Sequence, residues 1–413
     1  MTLQNHSKSR LPVTDGEHFF FEMGPIRPPS EGSDHSLLIR TTRNCAWNRC
    51  EFCGTYRGQK FSLRPVAEIK QDIDVARALY EELQTSAGNR GPFPGIGPEA
   101  LRALWNGNPL IYGDNAGNLT QKWQNLHNVA NWLNTGARTV FLQDADALIM
   151  RTGDLLEVLA YLKTVFPTVT RVTAYARSQS CYRKSLEELT QLRQAGLLRL
   201  HVGLESGCDA VLKRMKKGVS SLKQVEGGQK VVAAGISLCE YLMPGLGGRE
   251  FSERHALDSA AVLSAINPAY IRLRTLALRA KSPLLAQSRE GLFTELSEDE
   301  VVAEIALLVA NLHCSSYLVS DQMSNLLYGV EGQLPQDKEK ILEVIDAYLR
   351  KPEPERMVLR LRQRQRSFLA VYGSLPEDLE EQVEQAWDAL RRGTPEAVTK
   401  VDAAIAALKE GFV

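Results

Sequence analysis

"SLLIRTTRNCAWNRCEFCG", residues 36–54, sets a short β-forming run directly ahead of three cysteines that fall within nine positions. The apolar run 36–41 reads as a strand. The stretch after it, with Asn, Arg and Gly around the thiols, reads as a loop. Three of the chain's seven cysteines, Cys45, Cys50 and Cys53, stand on that loop in a C-x4-C-x2-C spacing. An odd number of unevenly placed cysteines points to metal or redox chemistry rather than to a disulfide framework. Thiolates this close in sequence can hold three irons of one cluster, or three positions of a zinc ion. An all-cysteine cluster or a structural zinc needs a fourth ligand, and the next cysteine is Cys181, far along the chain. Plant-type ferredoxins share the spacing but supply a fourth cysteine within a small β-rich fold. A three-thiol site leaves a metal position open, and an open position points to catalysis. A zinc loop completed by a distant side chain such as His35 or His201 stands as the alternative.

Outward from this loop the chain alternates β-like and helical runs. Further strands are expected at 139–144 (TVFLQD), 171–177 (RVTAYAR), 198–205 (LRLHVGLE), 236–243 (ISLCEYLM) and 270–278 (YIRLRTLAL). Between them Leu155, Leu159 and Leu162 share a helix face, as do Leu186, Leu189 and Leu192. A capping box at Ser185 and Glu188 opens the second of these helices, and Gly196 closes it. Six strands, each followed by a helix, imply a parallel sheet with right-handed crossovers. The crossover at about 88–118 is rich in Gly, Pro and Asn and reads as an irregular lid or binding loop. Beyond residue 290 the pattern turns to helices alone. Capping boxes are expected at Ser297 and at Ser374, and Pro395 is expected to open the last helix. Arginines at 360, 362, 364 and 366 spread around a helix and read as a solvated face. The expected organisation is an extension over 1–35, an α/β core over 36–289 with the insertion at 88–118, and a helical extension over 290–413.

Composition narrows the function. Lys plus Arg equals Asp plus Glu at 49 each, so the net charge is zero, and a nucleic-acid partner is disfavoured. The N-terminal stretch has no apolar run of a signal peptide and nothing later reaches membrane-spanning length, so a cytoplasmic site is expected.

The three-cysteine loop after the first strand, with Phe52 just before its last cysteine and Gly54 just after, resembles that of the radical S-adenosylmethionine (radical SAM) superfamily. The similarity spans roughly 36–285. The stretch LRLHVGLESGCDAVLKRMKKG (198–218) resembles the branch of oxygen-independent coproporphyrinogen oxidases, elongator-type and methylthiotransferase enzymes. The usual spacing there is C-x3-C-x2-C, so this loop carries one residue more between its first two cysteines. The resemblance implies an α/β fold, a (β/α)6 partial TIM-type barrel of parallel strands with an all-helical C-terminal extension. It also implies an oxygen-sensitive [4Fe-4S] cluster on Cys45, Cys50 and Cys53, with S-adenosylmethionine chelated at its open iron. Reductive cleavage would yield a 5′-deoxyadenosyl radical that abstracts hydrogen from a small or medium-sized organic substrate. A reductant such as flavodoxin or ferredoxin is implied as partner.

Ligands for the cofactor are sought where strands end. Asp144 and Asp146 follow the second strand, where the family often carries a Gly-Gly-Glu-like motif, and are candidates for the methionine ammonium. Arg177 ends the third strand, with Arg272 and Arg274 on the sixth, and these are candidates for the carboxylate. Glu205 ends the fourth strand in GLESG, at the position that the resemblance assigns to the ribose. Met243 and Gly245 lie in the glycine-rich turn after the fifth strand, where backbone can approach adenine. Each has a plain structural counterpart: a turn cap, a solvated arginine, a buried carboxylate, a left-handed turn. His201 is read as a core histidine. Two other classes stay open, an iron–sulfur electron carrier without organic chemistry and a zinc-stabilised α/β binding protein.

Overall fold

Six strands lie side by side in the order in which the chain makes them. They belong to the ten strands of the computed structural model, which describes residues 19–26, 35–86, 95–112 and 118–411. The strands are β1 (Leu37–Arg40), β2 (Thr42–Arg43), β3 (Ser62–Leu63), β4 (Thr139–Gln143), β5 (Arg171–Arg177), β6 (Leu197–Glu205), β7 (Ser237–Leu242), β8 (Tyr270–Leu273), β9 (Tyr317–Val319) and β10 (Gly332–Gln333). The large sheet runs β1-β4-β5-β6-β7-β8-β9-β10. The first seven of these strands are mutually parallel, and β10 pairs antiparallel with β9. Sequential order without reversal puts every crossover on one face. This is the parallel sheet that the strand–helix alternation predicts, with its strands in the order expected of the partial barrel that the resemblance implies.

Strand parity explains the arrangement. Leu37, Ile39, Val140, Leu142, Ala174, Leu200, Val202, Leu238 and Ile271 occupy one face and are buried in the main core. Helices cover them, for example Thr152–Val165 through Leu155, Leu159 and Leu162. The registered neighbours on the other face are polar or aromatic: Thr173 beside Arg199, Tyr175 beside His201, Tyr241 beside Arg272. That inner face is where the chemistry-bearing side chains collect.

Several local expectations need correction. The capping box at Ser185 and Glu188 forms, and Leu189 and Leu192 are buried, but Leu186 is exposed because it begins the helix outside the apolar stripe. The capping box at Ser297 and Glu300 forms too. At Ser374 none does: Pro376 is the cap residue of helix Glu377–Arg392, with no side-chain bond. Pro395 precedes helix Ala397–Glu410 rather than opening it. The region after 290 is helical apart from β9 and β10, which extend the sheet edge. Within 88–118, residues 88–94 and 113–117 lie outside the described residues. The remainder is not an irregular lid: it forms helices Pro98–Gly107 and Pro109–Tyr112. Ile96, Leu101, Leu104 and Tyr112 join the main core, so the segment packs in the outer helical layer.

Helices Glu353–Tyr372, Glu377–Arg392 and Ala397–Glu410 close around a second core that includes Leu361, Phe368, Val383, Val401 and Leu408. The arginine run is not a solvated face throughout. Arg360 and Arg364, four residues apart, share the side that packs on the body of the protein. Arg364 is fully buried, pairs with Glu298 and donates to the carbonyls of Met323, Ser324 and Asn325 at 2.9–3.2 Å. Among the described residues no helix is long and apolar enough to cross a membrane.

Candidate active site

The cysteine loop leaves the carboxyl end of β1 and is pinned at its base by β2 and β3, which pair Thr42 with Leu63 and Arg43 with Ser62. Asn44 (φ 67°) and Asn48 (φ 44°) turn the chain through left-handed conformations, which Asn tolerates better than most residues. The Asn48 side chain donates to the Tyr56 carbonyl at 2.6 Å, and its backbone N–H points at the Cys45 sulfur at 3.5 Å. Arg57 donates to the Cys50 carbonyl at 2.5 Å. Glu51 fixes the loop to two other segments. Its carboxylate pairs with Lys216 at 2.6 Å, and its carbonyl accepts from Ser282 Oγ and the Leu284 N–H, both at 2.9 Å. Gly54 is required here, because a Cβ would lie 2.8 Å from the Lys281 backbone.

No two of the described cysteines are joined, and all three thiols of the loop are partly exposed. Among the described residues no three Cys, His, Asp or Glu side chains close on one point as a single-ion site. Three thiols on one loop are a donor set that could give one thiolate to each of three irons of a cluster. Burial pushes the Cys50 thiol up to about 11, against the pull of nearby Lys217 and Arg177. Those two cations are what a negatively charged thiolate centre would need in their place.

Beneath Cys50 lies an ion pair. Glu205, at φ 64°, stands where a register shift interrupts the β6–β7 pairing, and its Oε1 accepts from Lys217 Nζ at 2.9 Å. Burial alone would pull Lys217 down, but Glu205, with Cys50 beside it, holds it above its ordinary value. The Lys217 ammonium also lies 5.7 Å from the Phe52 ring centre. Gly203 makes room for the pair: a Cβ there would fall 2.2 Å from Glu205 Oε1. Glu205 Oε2 takes no hydrogen bond among the described residues. Arg177 donates to the Lys217 carbonyl at 2.9 Å and its guanidinium sits 5.2 Å from the Trp47 ring centre.

The inner face of the sheet continues the site. Phe141, Tyr175, His201 and Tyr241 form an edge-to-face and tilted chain with ring centres 5.0–6.3 Å apart. Burial pushes Tyr175 up to about 12, although Tyr241, Arg274 and Arg272 favour its ionised form. Arg272 pairs with Asp321. Burial and the nearby Arg274 charge lower the affinity of Arg279 for a proton, while the Cys53 thiol raises it.

The sequence-derived candidates therefore divide. Arg177 and Glu205 gather at Cys50, while Arg272 and Arg274 face the aromatic chain. Met243 packs with Phe52 over a small apolar cluster, and its N–H donates to the Glu205 carbonyl at 3.0 Å. Asp144 is fully buried and its oxygens accept from Arg40 (2.8 Å), the Asn44 N–H (3.1 Å) and Tyr56 Oη, which ties the cysteine loop to β4. Asp146 accepts from the Arg177 N–H (3.2 Å) and Ser180 Oγ (2.6 Å), capping the turn after β5. Gly245 (φ 85°) is a buried turn whose N–H goes to Glu304 Oε1 at 2.6 Å. For these three the geometry matches the structural counterpart. Lys217, Arg279 and Tyr56 were missed. Lys217 follows Glu205 by twelve residues in a lysine-rich run, where nothing local marks one lysine as buried.

No family model matches this chain, and no curated protein does. Solved structures do. One is the Elp3 protein of the archaeon Methanocaldococcus infernus with its N-terminus deleted, at 16% identity and TM-score 0.38, over 58% of this chain and 60% of that one. A second is the cobalamin-dependent S-adenosylmethionine radical enzyme OxsB with aqua-cobalamin and S-adenosylmethionine bound, at 13% and 0.42, over 91% and 58%. A third is coproporphyrinogen III oxidase (HemN) from Escherichia coli, described as a radical SAM enzyme, at 14% and 0.40, over 68% and 54%. This chain thus spans less than two thirds of the length of each of these three. The likeness is one of chain path and carries no argument about the reaction.

Proposed function

We propose that this chain is a radical SAM enzyme. Three thiols stand at the carboxyl end of the first of six sequential parallel strands, with Lys217, Arg177 and Arg279 close to Cys50 and Cys53; this observation carries the reading. The donor set fits a [4Fe-4S] cluster on Cys45, Cys50 and Cys53, and the cations offset its charge. When bound, that cluster supplies the electron that splits S-adenosylmethionine into methionine and a 5′-deoxyadenosyl radical, which takes hydrogen from the substrate.

The chain's own residues then have distinct tasks. Glu205, fixed through Oε1 by Lys217, keeps Oε2 to accept from the ribose hydroxyls. Its left-handed backbone is the kind of local strain that collects at ligand sites. Arg272 and Arg274 offer forks for the methionine carboxylate, and Met243 closes the apolar wall toward adenine. Asp144 and Asp146 position the cysteine loop and Arg177, while the Gly245 turn anchors the end of β7 to the helical extension. The inner face lined by Tyr175, His201 and Tyr241 receives a small or medium-sized organic substrate. A low-potential reductant such as flavodoxin or ferredoxin completes the system, and an oxygen-sensitive centre suits the cytoplasm.

The test is anaerobic reconstitution with iron and sulfide, reduction with dithionite, and assay of 5′-deoxyadenosine. The comparison is a variant with Cys45→Ala, Cys50→Ala and Cys53→Ala. The expected result is four irons per chain and cleavage that both vanish in the variant. A chain that assembles the cluster yet never cleaves S-adenosylmethionine is an electron carrier, and one that retains only zinc has no radical chemistry.

A further inference from the structure

Glu205 and Met243 stand at the ends of neighbouring strands β6 and β7 and belong to one closed circuit of hydrogen bonds. The Met243 N–H donates to the Glu205 carbonyl at 3.0 Å. The Met243 carbonyl meets His255 Nε2 at 3.1 Å. His255 Nδ1 in turn meets Oγ of Ser206, the residue after Glu205, at 2.8 Å. His255 belongs to helix Gly248–Ile266, and both it and Ser206 are buried. We propose that His255 is the positioning residue for the nucleoside end of S-adenosylmethionine, holding Glu205 and Met243 at the spacing that ribose and adenine require. This rests on the function proposed above and adds to it a residue that acts only through others.

Chemistry fixes the direction of every bond in the circuit. A carbonyl only accepts, so Nε2 carries the imidazole hydrogen and Nδ1 is bare. Ser206 Oγ–H therefore donates to Nδ1, and its oxygen accepts from the Cys208 N–H at 3.0 Å. This is the neutral imidazole, and burial lowers the affinity of His255 for a proton despite Glu304 and Asp258 nearby. The Glu304 carboxylate lies 3.7 Å from Nε2, and its oxygens are taken by the Gly245 N–H at 2.6 Å and Ser252 Oγ at 2.5 Å. Reversing any one bond of the circuit would strand a buried neighbour, so it has a single arrangement.

Packing adds to this. The turn that carries Ser206 is pressed on the same helix: the Gly207 N–H donates to Ser259 Oγ at 2.8 Å, and a Cβ on Gly207 would lie 2.5 Å from the Asp258 carbonyl oxygen. Glu205 has a left-handed backbone (φ 64°) just where a register shift breaks the β6–β7 pairing. Where the ladder is irregular, the circuit supplies the restraint that regular pairing gives elsewhere. A histidine that only filled the core could satisfy its nitrogens with any partners. Here both partners belong to the two turns that carry Glu205 and Met243.

The experiment measures equilibrium binding of S-adenosylmethionine, without reductant, to anaerobically reconstituted proteins matched for iron content, and the thermal unfolding of each. The variants are Ser206→Ala, His255→Phe, the two combined, and Ser316→Ala as control. Ser316 also makes a buried bond, to the Pro268 carbonyl at 2.6 Å, but it precedes β9 at the amino end, opposite the carboxyl ends that hold the site. Each single circuit variant should bind about tenfold more weakly than the native chain. The combined variant should bind no more weakly than His255→Phe, because the circuit is already open. Ser316→Ala should lose thermal stability as Ser206→Ala does, yet keep native affinity. If His255→Phe does not fold, Ser206→Ala carries the test. Native affinity in Ser206→Ala overturns the proposal, as does an equal loss of affinity in Ser316→Ala. A native chain that forms its cluster yet binds no S-adenosylmethionine overturns the proposed function itself, whereas native binding with unchanged variants overturns the role of His255 alone.

Discussion

Gly203→Ala tests the pair beneath Cys50 with a single methyl group. That methyl would start 2.2 Å from Glu205 Oε1 and 3.1 Å from Lys217 Nζ. Carbon and oxygen settle at about 3.4 Å or more, so Oε1 must retreat by roughly 1 Å. It is the tip of a flexible side chain and can swing away, so the steric cost itself is small. What is lost is the 2.9 Å bond to Lys217, whose side chain is only 8% exposed. Leaving a buried ammonium without its partner costs about 3–5 kcal/mol, less whatever water reaches it past Glu205, whose side chain is 14% exposed. Urea denaturation of the native chain and of Gly203→Ala gives the first number. The same substitution in a Lys217→Met background gives the second, and there it should cost less than about 1 kcal/mol because no charge is stranded. Equal costs in the two backgrounds would show that the methyl is merely crowded, and the argument that Gly203 exists to admit the ion pair would fail.

Asp146 gives a pH prediction. Burial raises its carboxyl to about 6 from an ordinary 3.8. Between those values the folded chain keeps a proton that the unfolded chain has released. Stability therefore falls as pH rises through that window, by up to about 3 kcal/mol. Asp146→Asn keeps an acceptor for the Arg177 N–H and a donor for Ser180, so the variant should be the more stable by about 1–3 kcal/mol near neutral pH and level with the native chain below about pH 4. A gap that does not change with pH would refute this. Arg364→Met should destabilise the chain by about 3–5 kcal/mol, since it uncaps three buried carbonyls and leaves Glu298 with the longer 3.5 Å pairing to Lys409, while Arg362→Met, two residues away and exposed, should stay within about 0.5 kcal/mol. Comparable losses in both would mean that the run is a solvated face after all.

The fold was legible because its determinants are local. A strand buried under helices on one face and lined by polar groups on the other writes that parity into consecutive residues. Leu200 and Val202 against His201 and Gly203 announce it before any partner strand is known. The three thiols marked the candidate site for the same reason: they are close in sequence and lie on one loop. Capping at Ser185 and Ser297 was readable three residues ahead, whereas Ser374 failed because Pro376 took the cap position.

What only the tertiary structure decided are the pairings between distant residues. Asp144 looked free at a strand end, yet Arg40 and Tyr56 reach it from about a hundred residues away. Lys217 became a buried partner of Glu205, and Arg364 a buried bridge to Glu298, only because particular segments cross there. Periodicity records which side of an element faces the core, since that depends on neighbours a few residues off. Which opposite charge waits on that side depends on strand register and helix packing, and no stretch of sequence contains both partners.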